Sequence, residues 1–307
     1  MMKILVATDK PFAPEAVAGI REAVEKAGYE LALLEKYTEK AQLIDAVKTA
    51  DAVIIRSDII DSEVLSASDT LKIVVRAGAG YDNVDLDAAT AKNICVMNTP
   101  GQNSNAVAEL ALGLMTYACR NFFGGSSGIE LFGKKLGIHA YGNVGRNVAR
   151  IAKGFGMDIY AYDPFLSLEA IEKDGVKAVK TVEELYSTCQ FISLHIPATA
   201  ETKQSINKTL LSKMPKKGVL INTARKEVIN EAEMVEWMES RPDFKYLTDI
   251  KPGNHAEMSE KFPDRYFASP QKIGAQTAEA NNNAGIAAAN QIVDFFKTGN
   301  QQFRVNK

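Results

Sequence analysis

The chain has 307 residues, of which 46% are hydrophobic and 24% charged, the balance of an ordinary globular protein with room for two domains. Thirty-six basic against 38 acidic residues leave a net charge of -2, which excludes whole-molecule attraction to nucleic acid or to an anionic membrane surface. Three scattered cysteines, Cys95, Cys119 and Cys189, form no CxxC pair, so neither a disulfide framework nor a metal site is expected.

Short β-branched runs alternate with helix-period stretches from the first residues on. No signal peptide precedes the opening strand, and no apolar run approaches the ~20 residues that span a bilayer, so the expected compartment is the cytoplasm. Residues 4–7 (ILVA) read as a strand, 15–28 as a helix stopped by Gly28, 31–34 as a strand and 39–49 as a helix. Strands follow at 52–55 (AVII) and 73–75 (IVV), then a helix at 84–92 and a strand at 95–97. A second series begins after Pro100: a helix over 105–119, a strand over 136–141 and a helix over 145–155. Strands at 158–162, 178–179, 191–195, 219–221 and 246–248 continue it, and a last helix spans about 277–298.

Continuous apolar strands joined by helices imply parallel sheets covered on both faces. The expected fold is α/β: two Rossmann-like doubly wound parallel-sheet domains, with the cleft between them as the ligand site. The last helix is expected to return to the first array. That gives a discontinuous domain, 1–98 plus 283–307, and an inserted one, 99–282.

Where the strand at 136–141 meets its helix the sequence reads GIHAYGNVG, from Gly137 to Gly145. A dinucleotide fingerprint would be GxGxxG; here Ala140 stands at the first glycine. Gly142 lets backbone approach a pyrophosphate, and Gly145 lets helix and strand pack closely. The helix N-terminus, with Asn143 and Val144, offers unpaired N–H groups, and Arg146 adds a cation. A strand–turn–helix with no ligand would use the same glycines. Eighteen residues beyond Gly145, however, Asp163 ends a strand, where a carboxylate accepts a ribose diol and repels a 2′-phosphate. The pattern therefore favours NAD over NADP.

Five motifs, in order, resemble those of the D-isomer-specific 2-hydroxyacid dehydrogenases. They are 76–85 (RAGAGYDNVD), 98–104 (NTPGQNS) running on to 106–110 (AVAEL), 155–157 (FGM), 162–165 (YDPF) and 221–225 (INTAR). The resemblance covers essentially the whole chain. It implies hydride transfer between NAD and C2 of a 2-hydroxyacid, with domain 99–282 holding NAD and the discontinuous domain the substrate.

The segment 53–57 (VIIRS) resembles the place where the branch that oxidises D-3-phosphoglycerate sets an arginine against the substrate phosphate. The resemblance thus implies a small phosphorylated 2-hydroxyacid, held by Arg56, Ser57, Arg76, Gly78, Ala79, Gly80 and Asn103. It implies cofactor contacts at Ala79, Val107, Gly142, Asn143, Val144, Gly145 and Asp163. The others are His195, Ile196, Pro197, Thr223, Ala224, Asp249, Gly274 and Ala275. Arg225 matches the arginine that holds the substrate carboxylate, for which its planar fork is suited.

The proton carrier is where the chain departs from the family. A histidine usually precedes the apolar–Gly–Ala run, and Lys272 stands there instead; its partner carboxylate is replaced by Asn254, with Glu257 nearby. Lys272 is expected to act as general base for oxidation, helped by desolvation and by the charges of Arg225 and NAD; the bland alternative is that it only binds an anion. None of the three histidines is expected to be catalytic: His139 reads as packing, His195 as structural or beside the cofactor ribose, His255 as a loop residue.

The family also implies a homodimer, although the segment 121–129 is shorter than the arm relatives carry there. A chain ending at Lys307 resembles the short form of the enzyme, so serine feedback through an appended domain is not expected. Two alternatives stay open: a different 2-hydroxyacid, or an NAD-sensing binding protein that has lost catalysis.

Overall fold

The computed structural model describes residues 1–306. The first series of elements is β1 (Lys3–Thr8), α1 (Pro14–Lys26), β2 (Glu30–Glu35), α2 (Lys40–Val47), β3 (Ala52–Ile55), α3 (Ser62–Ser66), β4 (Ile73–Arg76), α4 (Leu86–Ala91) and β5 (Cys95–Asn98). The second opens with α5 (Ser104–Cys119), β6 (Lys135–His139), α6 (Asn143–Gly154), β7 (Asp158–Tyr162), α7 (Leu168–Glu172), β8 (Lys177–Ala178), α8 (Val182–Thr188) and β9 (Phe191–Leu194). It continues through α9 (Lys208–Leu211), β10 (Val219–Asn222), α10 (Glu231–Ser240), β11 (Lys245–Thr248), α11 (His255–Lys261) and β12 (Tyr266–Ala268) to the long α12 (Ala278–Thr298).

These elements make two compact units. One holds Met1–Asn103 and the segment from Gln276 onward; the other holds Ser104–Ala275. The sequence placed the crossings at 98/99 and 282/283. The second now falls before α12 rather than inside it, because Thr277 caps that helix through Ala280 N and it folds as one piece.

The first unit carries a five-stranded sheet in the order β2-β1-β3-β4-β5, the second a seven-stranded sheet in the order β12-β11-β10-β9-β6-β7-β8. Every paired strand runs parallel. The apolar runs explain this. Side chains alternate across a strand, and in β1 and β3 both faces are buried. Ile4, Val6, Ile54 and Val75 pack with Ile20 and Val24 of α1 and Ala288 and Ile292 of α12. Leu5, Val53, Ile55 and Val74 pack on the other side with Leu43, Val47 and Leu65. Each such side chain contributes roughly 1.5–3 kcal/mol by leaving water.

In the second unit, Leu136, Ile138, Phe191, Ile221 and Leu247 face Leu112 and Met115 of α5 and Val148 of α6. Ile192, Leu194 and Leu220 face Leu185, Met234 and Met258. Its strand order reverses at β6, with β7 on one side and β9 on the other. Ligands of doubly wound sheets bind at the carboxyl ends of the strands flanking such a reversal.

Local differences from the sequence reading have local causes. The helix expected from Gly145 starts at Asn143, with Gly142 as its N-cap. The helix expected over 84–92 is trimmed because the Asp85 side chain accepts from Ala88 N and fixes the start at Leu86. The short helices α3, α7 and α9 are nucleated by the caps Asp61, Ser167 and Asn207, and are too brief to show a period. After α5 the chain makes a left-handed turn, with φ of 48°, 57° and 55° at Asn121, Phe122 and Phe123. Lys245 holds it, donating to Ala118 O at 2.7 Å and Asn121 Oδ1 at 2.8 Å.

Candidate active site

In the second unit every cofactor residue expected from the sequence except Val107 sits at the carboxyl edge of the sheet or in the turns that follow. Val107, on α5, reaches the same place from the side: a Cβ on Gly274 would lie 3.4 Å from Val107 Cγ2 and 2.8 Å from Asp249 Oδ2. His195 leaves β9 beside the turn after β6, its N–H donating to His139 O at 2.9 Å.

The glycine turn is built for a close approach. A Cβ on Gly145 would stand 2.4 Å from Ala140 O, whereas one on Gly142 would meet nothing within 4 Å. Gly145 is therefore the packing glycine and Gly142 the open one. Ala140 adopts φ 77°, the left-handed region that the missing glycine would occupy without strain. Helix α6 has no side-chain cap, while α7, α8 and α10 are capped by Ser167, Thr181 and Asn230. Its first N–H groups are left for an anion.

Asp163 is fixed by two backbone donors, Tyr141 N to Oδ2 at 2.8 Å and Phe165 N to Oδ1 at 2.9 Å. Each carboxylate oxygen keeps a second lone pair, enough for a diol. Arg146 is a correction: its guanidinium pairs with Asp174 and stacks over the Tyr141 ring at 4.9 Å.

At the other end of the same edge, residues distant in sequence meet. Arg225 Nη1 donates to Ala224 O at 3.0 Å, and Lys272 Nζ donates to the same oxygen at 3.3 Å. Two cations thus share one carbonyl. Lys272 is exposed, so the desolvation expected for it is not supplied within its own unit. Asp249 is fully buried, and its Oδ2 accepts from Gly274 N at 2.7 Å. Burial pushes its carboxyl up, opposed by that N–H and by the charge of Lys272. Asp249 Oδ1, Thr223 Oγ1 and His195 Nε2 are buried without a hydrogen-bond partner among the described residues. All three lie at strand ends on this edge, where a bound nucleotide would find them; with the open Gly142 and the uncapped α6, they fit NAD.

Burial lowers His139 to about 4 and His195 to about 3. His255 Nδ1 lies 3.0 Å from Tyr266 OH. At the position of the missing relay carboxylate, Asn254 Nδ2 donates to Glu231 O at 3.0 Å, and Glu231 Oε1 accepts from Gly253 N at 2.9 Å. Glu257 pairs with Lys261 at 2.9 Å on the surface of α11. Sequence reasoning missed Asn222, fully buried at the end of β10, whose side chain shapes the turn that carries Arg225. Its signal was an amide ending an otherwise apolar strand.

In the first unit, Arg56 follows β3 and Arg76 ends β4, again at the carboxyl edge. Arg56 donates through Nη1 to Lys10 O at 2.9 Å and Pro11 O at 3.0 Å, and through Nη2 to Asn281 Oδ1 at 2.7 Å. Arg76 Nε donates to Arg56 O at 3.0 Å. Gly78 adopts φ 148°, which L side chains rarely take, and the absent Cβ leaves room for the Arg76 guanidinium, whose Nη1 would lie 1.6 Å from it. Asn98 Nδ2 donates to Ala79 O at 2.7 Å and holds the 78–80 loop, in which Ala79 is exposed. Ser57 is exposed beside Arg56, and Asn103 closes the first stretch of the unit in a turn.

The sequence profile described as "D-isomer specific 2-hydroxyacid dehydrogenase, NAD binding domain" matches residues 119–266. A crystal structure of NAD+-bound 3-phosphoglycerate dehydrogenase from Entamoeba histolytica is 50% identical, with a TM-score of 0.89, over 100% of this chain and 99% of that one. D-3-phosphoglycerate dehydrogenase of Methanocaldococcus jannaschii is 34% identical over 268 residues, 82% of this chain and 51% of that protein. Hydroxypyruvate reductase of Thermotoga maritima is 34% identical over 281 residues, 86% of this chain and 90% of that protein. The chain spans about half the length of the curated D-3-phosphoglycerate dehydrogenases it matches.

Proposed function

The chain belongs to the D-isomer specific 2-hydroxyacid dehydrogenase family, and on that premise we propose that it oxidises D-3-phosphoglycerate to 3-phosphohydroxypyruvate with NAD. The observation that carries the reading is the meeting of Arg225 and Lys272 on Ala224 O, at the edge that also carries the glycine turn and Asp163. The 50% identity to the Entamoeba enzyme supports the choice of substrate.

Bound NAD supplies the electrophilic ring that accepts the hydride. Gly142, Asn143, Val144 and Gly145 would receive the pyrophosphate and Asp163 the adenosine ribose. His195, Ile196 and Pro197 would wall that end. Thr223, Ala224, Asp249, Gly274, Ala275 and Val107 would line the nicotinamide end, with Ala79 as a further contact. Arg225 holds the substrate carboxylate and, in the reverse direction, polarises the adjacent C2 carbonyl. Lys272 Nζ, when neutral, removes the C2 hydroxyl proton; as the ammonium it returns that proton to the carbonyl oxygen in the reverse direction. Asp249 faces Lys272; burial pushes its carboxyl up, and the charge of Lys272 acts against that shift.

For the phosphate we assign Arg56 with Ser57, Arg76, the N–H groups of Gly78, Ala79 and Gly80, and Asn103. Arg56 spends three of its five N–H bonds inside its unit, which fixes the guanidinium; Nε–H and one Nη2–H are outside those three bonds and suit two phosphate oxygens. A second reading takes an unphosphorylated acid. It is favoured by those same three bonds, which give Arg56 a structural reason to exist, and by the Thermotoga relative's name. By family resemblance the working form is a cytoplasmic homodimer, to be checked by light scattering and by cell fractionation.

The test is NADH formation with D-3-phosphoglycerate, D-glycerate and D-lactate, each with NAD and with NADP. The proposal expects the phosphorylated acid with NAD to give the highest kcat/KM. No turnover with any acid, alongside tight NADH binding, would instead assign the chain to nucleotide sensing.

A further inference from the structure

We infer that Asn222 is a positioning residue for Arg225 and Lys272: its carboxamide folds the turn 222–225 so that the Ala224 carbonyl holds both the Arg225 guanidinium and the Lys272 ammonium. This rests on the roles given to Arg225 and Lys272 above.

Both ends of the carboxamide are committed to the turn. Oδ1 accepts from Ala224 N at 3.0 Å, and Nδ2 donates to Arg225 O at 3.0 Å and to Tyr246 OH at 3.4 Å. The backbone carbonyl of Asn222 accepts from Thr248 Oγ1 at 2.8 Å and from Asp249 N at 3.3 Å, which ties the turn to the end of β11. The three residues before it, Val219, Leu220 and Ile221, are buried and apolar. A fully buried amide there is costly unless it is hydrogen-bonded, so its place is explained by the bonds it makes.

Those bonds set the direction of one peptide. With Ala224 N held by Oδ1 and Arg225 O held by Nδ2, the intervening carbonyl has one orientation, toward the two cations. A carbonyl oxygen has two lone pairs and accepts from both. Two positive groups this close repel, and the negative end of the carbonyl dipole between them lowers that repulsion. Among the charged groups facing Lys272 are Arg225 from the β10 turn and Asp249 from the end of β11. Asn222 bonds to neither cationic side chain.

The test uses Asn222→Asp, which keeps the volume and the acceptor for Ala224 N but loses the donor to Arg225 O, and Asn222→Ser as a second, smaller variant. Three measurements are made on the whole chain: thermal stability, kcat and KM across pH, and 13C NMR titration of reductively methylated lysines. The Lys272 resonance is assigned with Lys272→Arg. We expect kcat to fall roughly 10- to 100-fold, since misplacement by about 1 Å costs that much, with the NAD KM within about threefold of the parent. The Lys272 titration midpoint should rise in Asn222→Asp, because the new carboxylate favours the ammonium. A lower melting temperature with unchanged kcat and an unmoved Lys272 titration would show that Asn222 only packs, and would overturn the inference. If the parent turns over no 2-hydroxyacid, the functional reading fails by itself, while the NMR titration still decides Asn222.

Discussion

Replacing Lys272 by alanine separates chemistry from folding more cleanly than any other change. Lys272 is exposed, and its bond to Ala224 O is long, at 3.3 Å. Losing it should cost the fold less than about 1 kcal/mol. Losing an acid–base group lowers the rate about 10²- to 10⁴-fold, or roughly 3–5 kcal/mol of barrier. The expected variant therefore melts with the parent, binds NADH as the parent does by fluorescence titration, and is nearly silent in NADH formation.

The pH dependence gives the sign. Oxidation needs neutral lysine, and a lysine at the reference pKa of about 10.4 is neutral in roughly 1 molecule in 2,500 at pH 7. Oxidation by the parent should rise about tenfold per pH unit until the ammonium is lost, while reduction should stay level over that range and fall only once the ammonium titrates. Lys272→His should move the rise down toward the imidazole range, near pH 6.5. A Lys272→Ala enzyme with parental kcat, or a Lys272→His enzyme whose profile overlays the parent, would refute the assignment.

Three further outcomes follow from particular contacts. Arg56→Lys keeps the charge but not the fork. It should raise KM for D-3-phosphoglycerate at least about tenfold and leave that for D-glycerate within about threefold; equal rises with a drop in melting temperature would make Arg56 structural. Ala140→Gly relieves a left-handed alanine worth about 1–2 kcal/mol and adds about 0.5–1 kcal/mol of unfolded-state entropy. The net should be a gain of between zero and about 1.5 kcal/mol in urea unfolding, and a clear loss would mean that the turn is not strained. His139 is held neutral, its pKa lowered to about 4 by burial. A depressed histidine contributes stability that is present above its unfolded value near 6.5 and lost as pH falls through 4. The His139 share of the unfolding free energy should drop by about 3 kcal/mol over that window, beside that of the similarly lowered His195, so the slope should be shallower in His139→Phe; an identical pH slope would exclude His139 as a cause.

Much of this was legible in the chain. The runs ILVA at 4–7 and AVII at 52–55 are apolar at every position, and the structure buries them on both faces of a parallel sheet. Gly142 and Gly145 marked the turn before α6, and Asp163 stood at the strand end that the turn requires. The exposed side of the same helix was not legible: Arg146 looked like a phosphate ligand until Asp174, 28 residues on, claimed it. Short helices such as α3 and α9 depend on one cap and leave no periodicity to read.

Composition, period and glycine placement are local quantities, and they determined the α/β class, the strand sequence and the nucleotide turn, because backbone sterics and burial act within a few residues. The tertiary structure alone decided that Lys272 meets Arg225, 48 residues from the carbonyl they share, and that Asn222 aims that carbonyl. Hydrogen bonds between strand ends depend on which strands are neighbours in the sheet. That order, β12-β11-β10-β9-β6, is a property of packing and is written in no single stretch of residues.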